Sequence, residues 1–398
     1  MRRLLLIIAA LCCFAAVSAQ ELPTCARPDS SFLRHPGSTV LTERFRQKLQ
    51  ACAECPDSSV TIWHIGGSHV QAGWFPSRIR HNFDSLGHYP SAGRGYIFPY
   101  PLAHTNYDRS YNVSSEGEWM GSRSSYPNRK VPFRPSWGIT GIAAYTTDTT
   151  ACFALGTPHC FTRLHIMGDA SEGVMPLAVC GTDTLRCAAD TLLRGYVVDF
   201  ASPVDSVQVL PMLKDGEYFT VTGLLPECPG RNGLSYISTG VNGARTTTWT
   251  ERCPEFSREL SVIHPDLVIL GLGINDAACS PADFKPEKFK NNYRKLLDTI
   301  RQEAPGCAFI FITNNDSWHY YNRRRMVHND NGEAVRKAMF ELAGEYDGAV
   351  WDLFEIMGGN GSAGAWRDAG LMKTDRLHFT REGYQLLGDM LYNALTAE

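Results

Sequence analysis

Asp375-Arg376-Leu377-His378, near the end of the chain, places an acid three residues before a histidine. At that spacing the carboxylate reaches one ring nitrogen and leaves the other free to face a nucleophile. Two members of a serine-hydrolase triad are therefore present, and the missing one is an exposed serine at the end of a strand. Ile62-Trp63-His64-Ile65-Gly66-Gly67-Ser68-His69 supplies it far upstream, in the chain order Ser, Asp, His. Each part has a simpler reading when taken alone. Gly66-Gly67-Ser68 could be only a tight turn, and Asp375 with His378 a buried structural pair.

Two further strand ends carry groups suited to an oxyanion. Thr239-Gly240-Val241-Asn242-Gly243-Ala244 follows an apolar run, and a glycine there lets a backbone N–H approach a ligand closely. Leu270-Gly271-Leu272-Gly273-Ile274-Asn275-Asp276 ends another run and sets an amide at the carboxyl edge, where open α/β sheets bind ligands. Asn275 can donate its side-chain N–H to an oxyanion; alternatively Asn275 or Asp276 caps the next turn. Ser68 itself precedes an expected helix over 72–85, whose N-terminal N–H groups and dipole favour negative charge.

The elements that must position these residues are legible as short apolar runs at Val60–Ile65, Ser235–Thr239, Leu267–Leu272, Ala308–Thr313 and Ala349–Phe354, as buried parallel strands read. Helical patterns fall between them. In Pro286–Glu303, Phe289, Tyr293, Leu296, Leu297 and Ile300 share one face, and Pro305-Gly306 follows. Glu333–Tyr346 and Arg381–Leu395 repeat the pattern. Alternation of strand and helix predicts an α/β sandwich with a mostly parallel sheet. From about Thr105 to Glu227 the rhythm breaks into β-rich sequence with turn signals such as Gly181-Thr182-Asp183 and Asp215-Gly216. Expected strands there are Phe161–Met167, Met175–Cys180, Tyr196–Phe200, Ser206–Pro211 and Tyr218–Thr222, an inserted β-sandwich. The expected division is a leader over 1–19, a catalytic domain from 20–103 and 234–398, and an insert over 104–233.

Composition is that of an ordinary globular chain: 398 residues, 43% hydrophobic and 20% charged, enough for a full core and two domains. Met1–Ala19 reads as a secretory signal: Arg2 and Arg3, an apolar run from Leu4 to Val17, then small residues before Gln20. The run is short for a membrane anchor, so an exported product without an integral membrane segment is expected, periplasmic or extracellular. Without Arg2 and Arg3, 36 basic side chains stand against 41 acidic, a net −5 in place of −3. That balance does not favour nucleic acid. Arg323-Arg324-Arg325, the one basic run, reads as a solvated face. Of 13 cysteines, eleven lie beyond the leader, an odd number for an oxidising compartment. Cys52 with Cys55, Cys152 with Cys160 and Cys180 with Cys187 have spacings that suit local disulfides. No second CxxC or His pair completes a zinc site.

Taken together, the blocks around Ser68, Gly243, Asn275 and His378 resemble the SGNH, or GDSL, hydrolase family. The resemblance covers roughly residues 55–103 and 234–398. It implies a flavodoxin-like three-layer sandwich, with Ser68 as nucleophile, His378 as base and then acid, and Asp375 as its orienter. The oxyanion hole would be the backbone N–H of Ser68 and Gly243 with the side chain of Asn275, Gly240 being the second choice. No metal or cofactor is implied. The family's Asp before the serine is Gly67 here; that carboxylate helps to hold the nucleophile loop, so weaker preorganisation is expected. Gly66-Gly67-Ser68-His69, Gly240-Val241-Asn242-Gly243-Ala244, the inserted β-region, and Gly93-Arg94-Gly95-Tyr96-Ile97-Phe98-Pro99-Tyr100 with Thr105-Asn106 are similar to the peptidoglycan O-acetylesterases within that family. The insert would then be a carbohydrate-binding domain, or alternatively a structural lid. The resemblance implies removal of O-acetyl groups from a glycan, peptidoglycan first. Other polysaccharides, small esters, and a non-catalytic glycan-binding protein are the alternatives.

Overall fold

A computed structural model describes residues 22–86, 88–107, 109–321 and 325–397. The secretory signal expected over Met1–Ala19 lies outside the described residues, as do Arg323 and Arg324; Arg325 is exposed and opens a strand, Arg325–His328, whose other residues are half-buried. Among the described residues, no helix is long and apolar enough to cross a membrane.

The central sheet has six strands: β1 (Leu33–Arg34), β2 (Ser59–Gly66), β3 (Gly233–Gly240), β4 (Leu267–Gly271), β5 (Ala308–Ile312) and β6 (Ala349–Trp351). Their spatial order is β1-β6-β5-β4-β2-β3. All neighbours run parallel except the edge pair β1 and β6. The apolar runs foretold five of these; β1 has two residues and no periodicity by which to find it. Residues past Trp351 turn into a helix, Leu353–Met357, because the Asp352 side chain accepts the Glu355 N–H and caps it.

Strand alternation sorts side chains to two faces. Trp63, Ile65, Val268, Leu270, Phe309 and Phe311 point into one core, while Val60, Ile62, Leu267, Ile269, Ile310 and Ile312 point into the other. Helices cover both faces, giving three layers. Pro286–Glu303 forms as its pattern predicts, opened by Pro286 at its first position, with Phe289, Tyr293, Leu296, Leu297 and Ile300 buried. Each such side chain contributes about 1.5–3 kcal/mol on burial. Gly332–Glu345 shares that face, while Trp74–Ser85 and Arg381–Thr396 pack together on the opposite one. A helix over Val40–Glu54, which the pattern reading did not single out, buries Phe45, Leu49 and Cys52 there too.

Between β2 and β3 in sequence lie a seven-stranded and a three-stranded sheet, antiparallel throughout. Their backbone is two long strands, Cys152–Met167 and Gly195–Leu210, whose pairing is interrupted by register shifts between Asp199 and Ser206. Across those shifts the sequence pattern shows Gly195–Leu210 as two shorter runs, Tyr196–Phe200 and Ser206–Pro211, and only the second half of Cys152–Met167, Phe161–Met167.

The local disulfides expected from spacing do not form, and among the described residues all eleven cysteines are free. Cys152 and Cys160 lie on one extended strand, so about 25 Å of backbone separates them. Cys180 faces Asp183, whereas Cys187 lies beyond the Leu177–Arg186 pair and donates its N–H to Pro176 O. A disulfide needs Cα atoms within about 7 Å. Cys228 does approach Cys160, its thiol donating to Cys160 O at 3.4 Å.

An ion cluster ties the long strand Cys152–Met167 to the short strands Ala188–Asp190 and Gly223–Glu227. His165 Nδ1 meets Asp190 Oδ2 at 2.5 Å and Nε2 meets Glu227 Oε1 at 3.3 Å. Burial disfavours the imidazolium, but the hydrogen bonds to Asp190 and Glu227 outweigh it and push the pKa up to about 9. A raised pKa contributes stability that is complete below the ordinary value of 6.5 and lost as pH climbs through 9. The melting temperature should therefore fall across that interval, and His165→Gln should flatten this part of the profile in a thermal scan run against pH.

Candidate active site

Three strands ending in glycine converge at one edge of the sheet. Gly66 pairs with Gly240 on one side and with Gly271 on the other. A Cβ on Gly240 would lie 2.2 Å from Gln71 N, and one on Gly66 would lie 2.4 Å from Val70 Cγ2 and 2.9 Å from Gly271 O. Only bare backbone lets the turn after β2 settle across these ends. Ser68 opens a short helix there, Ser68–Gln71, which Gly73 (φ +83°) separates from Trp74–Ser85. The expected helix over 72–85 is present as Trp74–Ser85, and Ser68 itself opens a separate short helix before it. The N–H that Ser68 can offer belongs to one tight turn, with no long-helix dipole behind it.

Ser68 Oγ lies 2.8 Å from His378 Nε2, and His378 Nδ1 lies 2.8 Å from Asp375 Oδ2. The other oxygen, Asp375 Oδ1, accepts the N–H groups of Leu377 and His378, both at 3.0 Å. Burial opposes ionisation of Asp375, yet the bonds from the His378 ring and these two N–H groups prevail and hold its carboxyl well below the ordinary carboxylate range. A carboxylate fixed on Nδ1 keeps that nitrogen protonated and presents the Nε2 lone pair to the serine hydroxyl.

The loop carrying the acid and base is braced on several sides. Thr380 caps Arg381–Thr396 by accepting the Gly383 N–H. Asn315 donates to Leu377 O at 3.1 Å, and the Trp318 N–H to Arg376 O at 2.9 Å. Arg376, at φ +51°, sets its guanidinium 4.0 Å from the Trp318 ring. Asn315 and Trp318 do not stand out in sequence, because each lies more than fifty residues from the loop it holds.

The residues expected around an oxyanion meet beside Ser68. Gly243 has φ +79°, a left-handed value that glycine adopts without strain. Among the described residues, neither the Gly243 nor the Ser68 N–H has a hydrogen-bond partner, so both are available to a ligand. Asn275 donates one amide proton to Ala244 O at 2.9 Å and retains a second. Gly240, the second choice, lies under Gln71 and faces the short helix. A Cβ at position 67 would sit 3.3 Å from Asn275 Nδ2. Gly67 instead holds the turn through its backbone, accepting from Val70 at 3.2 Å and Gln71 at 3.0 Å, and donating to Gly271 O at 3.4 Å.

Sequence reasoning missed the side chains that lace these loops. Gln71 Oε1 accepts the Asn242 N–H at 2.6 Å, and Ser125, from the β-rich region, donates to Asn242 O at 2.7 Å. Thr246 Oγ1 donates to Asp276 Oδ1 at 2.7 Å, joining the Gly243 loop to the Asn275 loop. Burial pushes the Asp276 carboxyl up to about 6, against the pull of the Thr246 bonds. Thr246→Val keeps the shape but removes a donor from that carboxylate. It should cost about 1–3 kcal/mol in urea unfolding at neutral pH; an unchanged midpoint would mean the bond does not couple the loops.

With a base poised on a hydroxyl and three N–H groups beside it, the arrangement can make a serine alkoxide and receive the negative oxygen of a tetrahedral adduct. Among the described residues, no group of three or more His, Cys, Asp or Glu side chains could hold a metal ion.

Residues 214–386 match the GDSL-like lipase/acylhydrolase family, a span that includes Gly243, Asn275, Asp375 and His378 and begins well after Ser68. Among solved structures, one described as a peptidoglycan O-acetylesterase superposes with a TM-score of 0.71 at 20% identity, over 91% of this chain and 97% of that one. At that identity the likeness establishes the SGNH-hydrolase fold. An acetyl xylan esterase (TM-score 0.33, 15% identity, 40% of this chain and 81% of that one) is too distant to carry an argument. No curated protein matches the chain in sequence.

Proposed function

We propose that this protein, whose residues 214–386 match the GDSL-like lipase/acylhydrolase family, is an exported serine esterase that removes O-acetyl groups from a glycan, peptidoglycan being the foremost substrate. The observation that carries this reading is the run of hydrogen bonds from Ser68 through His378 to Asp375 at the glycine-ended edge of the sheet. The shared fold with a peptidoglycan O-acetylesterase (TM-score 0.71) supports an O-acetylated glycan, and the leader-like Met1–Ala19 supports export.

In this mechanism Ser68 Oγ attacks the acetyl carbonyl as His378 Nε2 takes its proton. The carbonyl oxygen becomes an oxyanion beside the N–H groups of Ser68 and Gly243 and the amide of Asn275. His378 then gives the proton to the departing sugar oxygen, leaving an acetyl ester on Ser68. Water, deprotonated by His378, attacks that ester and releases acetate. Asp375 stays ionised throughout and stabilises the imidazolium. Residues 20–103 and 234–398 would form the catalytic domain. The insert, 104–233, would hold the polymer, and Ser125 already joins it to the loop of Gly243.

Acetate release from O-acetylated peptidoglycan and acetylated xylan by the protein without residues 1–19 tests the reading. Ser68→Ala and His378→Ala should each abolish release, Asp375→Asn should lower kcat by about 10⁴-fold, and Asn275→Ala by about 10²–10³-fold. Cleavage of xylan alone would keep the mechanism and replace the substrate. No release from either, nor from a small activated acetate ester, would leave a glycan-binding protein, the reading that Gly67 favours.

A further inference from the structure

Behind Ser68, a cavity of about 30 Å³ lies between the carboxyl ends of β4 and β5 and the helix Arg381–Thr396, with His64, His69, Asn314, Gly271, Val70 and Phe379 among its walls. Three of these residues carry a buried side-chain nitrogen with no hydrogen-bond partner among the described residues: His64 Nε2, His69 Nε2 and Asn314 Nδ2. An unpaired buried polar atom costs about 1–3 kcal/mol, so three at one cavity call for a shared partner.

The tautomers follow from the other ring nitrogens. His64 Nδ1 lies 2.8 Å from Tyr236 Oη, and His69 Nδ1 lies 2.8 Å from Tyr384 Oη. Both tyrosines are buried, and each hydroxyl has that ring nitrogen as its hydrogen-bond partner. Each O–H therefore donates to Nδ1, which leaves the imidazole proton on Nε2. Burial, helped by Arg80 for His64 and by His378 for His69, pulls both pKa values down to about 3, so both rings are neutral donors near pH 7.

We infer that one buried water molecule is bound here, accepting from His64 Nε2 and His69 Nε2 and donating to the oxygen of the Asn314 amide, which turns over so that Oδ1 in place of the unpartnered Nδ2 faces the cavity. A water needs about 10–15 Å³ and two to four polar partners, and the cavity supplies both. Neutral rings and apolar walls give an anion no compensating charge. The water ties the nucleophile turn to the sheet beneath it, because His69 follows Ser68 directly and its ring centre lies 5.4 Å from that of His378. His69 is thus a positioning residue, and it supplies from below a support that the side-chain-free Gly67 does not give. The kinetic part of this inference rests on the esterase reading; the binding of water does not.

A crystal structure of the protein at a resolution that orders water decides the binding. A single peak within hydrogen-bond distance of the two ring nitrogens and the Asn314 amide, unchanged after a bromide soak, is the expected result. Bromide replacing the peak, or a cavity without density whose histidines have turned to other partners, overturns it. For the positioning role, kinetics on a small activated acetate ester compare the wild type with His69→Phe and His69→Gln. The phenylalanine variant should lose about tenfold in kcat with KM unchanged, and the glutamine variant should recover part of that loss. A loss confined to KM, no loss, or equal loss in both variants overturns it. A wild type inactive on the ester ends the esterase reading and the positioning role together, while the density still decides the water.

Discussion

Gly66 stands in register between Gly240 and Gly271, and the close approach that these three residues allow is what every functional group here relies on. Parallel strands bring their carboxyl ends to one edge, so a serine after the first, a glycine loop after the second and an asparagine after the third become neighbours. A side chain at Gly240 would occupy the space of Gln71 N and lift the short helix that begins at Ser68. The same helix carries Gln71, which accepts the Asn242 N–H and so fixes the Gly243 loop beside the serine. Position, in this site, comes from backbone proximity first and side-chain bonds second.

Two kinds of support then hold the assembled groups. Acid and base share one four-residue segment, and Asp375 spends one oxygen on backbone N–H groups and the other on the His378 ring. This leaves the carboxylate little freedom to rotate and keeps it ionised, which suits an orienter that must stay charged. The oxyanion side is spread over two loops from different strands, and it coheres through Thr246 with Asp276 and Asn275 with Ala244 O. Asp276 carries a burial cost that its hydrogen bonds offset only in part. Such a carboxylate is retained where it links segments that backbone bonding alone leaves apart.

Periodicity made the central sheet and the helices Pro286–Glu303, Gly332–Glu345 and Arg381–Thr396 legible. Their buried faces repeat every two or every 3.6 residues, and Pro286 and Thr380 mark helix starts by local chemistry. The β-rich region was recognisable by composition, but its long strands were read as short ones, since register shifts interrupt the alternation that identifies a strand. The cysteine spacings misled for a related reason. Proximity in sequence counts for little on an extended chain, where eight residues from Cys152 to Cys160 become distance.

The sequence by itself determined the order Ser68, Gly243, Asn275, Asp375, His378 and the strand ends on which these residues stand, because residue type, local spacing and apolar period are properties of short segments. It also determined that Asp375 can reach His378, three positions away. Only the tertiary structure decided that Ser68 Oγ meets His378 Nε2 across 310 residues. It alone set Ser125 against the Gly243 loop, and it alone turned His64, His69 and Asn314 toward one small cavity. Those meetings depend on strand order and on how layers pack, which no segment specifies alone: β4 joins β2 through non-local pairing, and its place follows from burying both faces of the sheet at once.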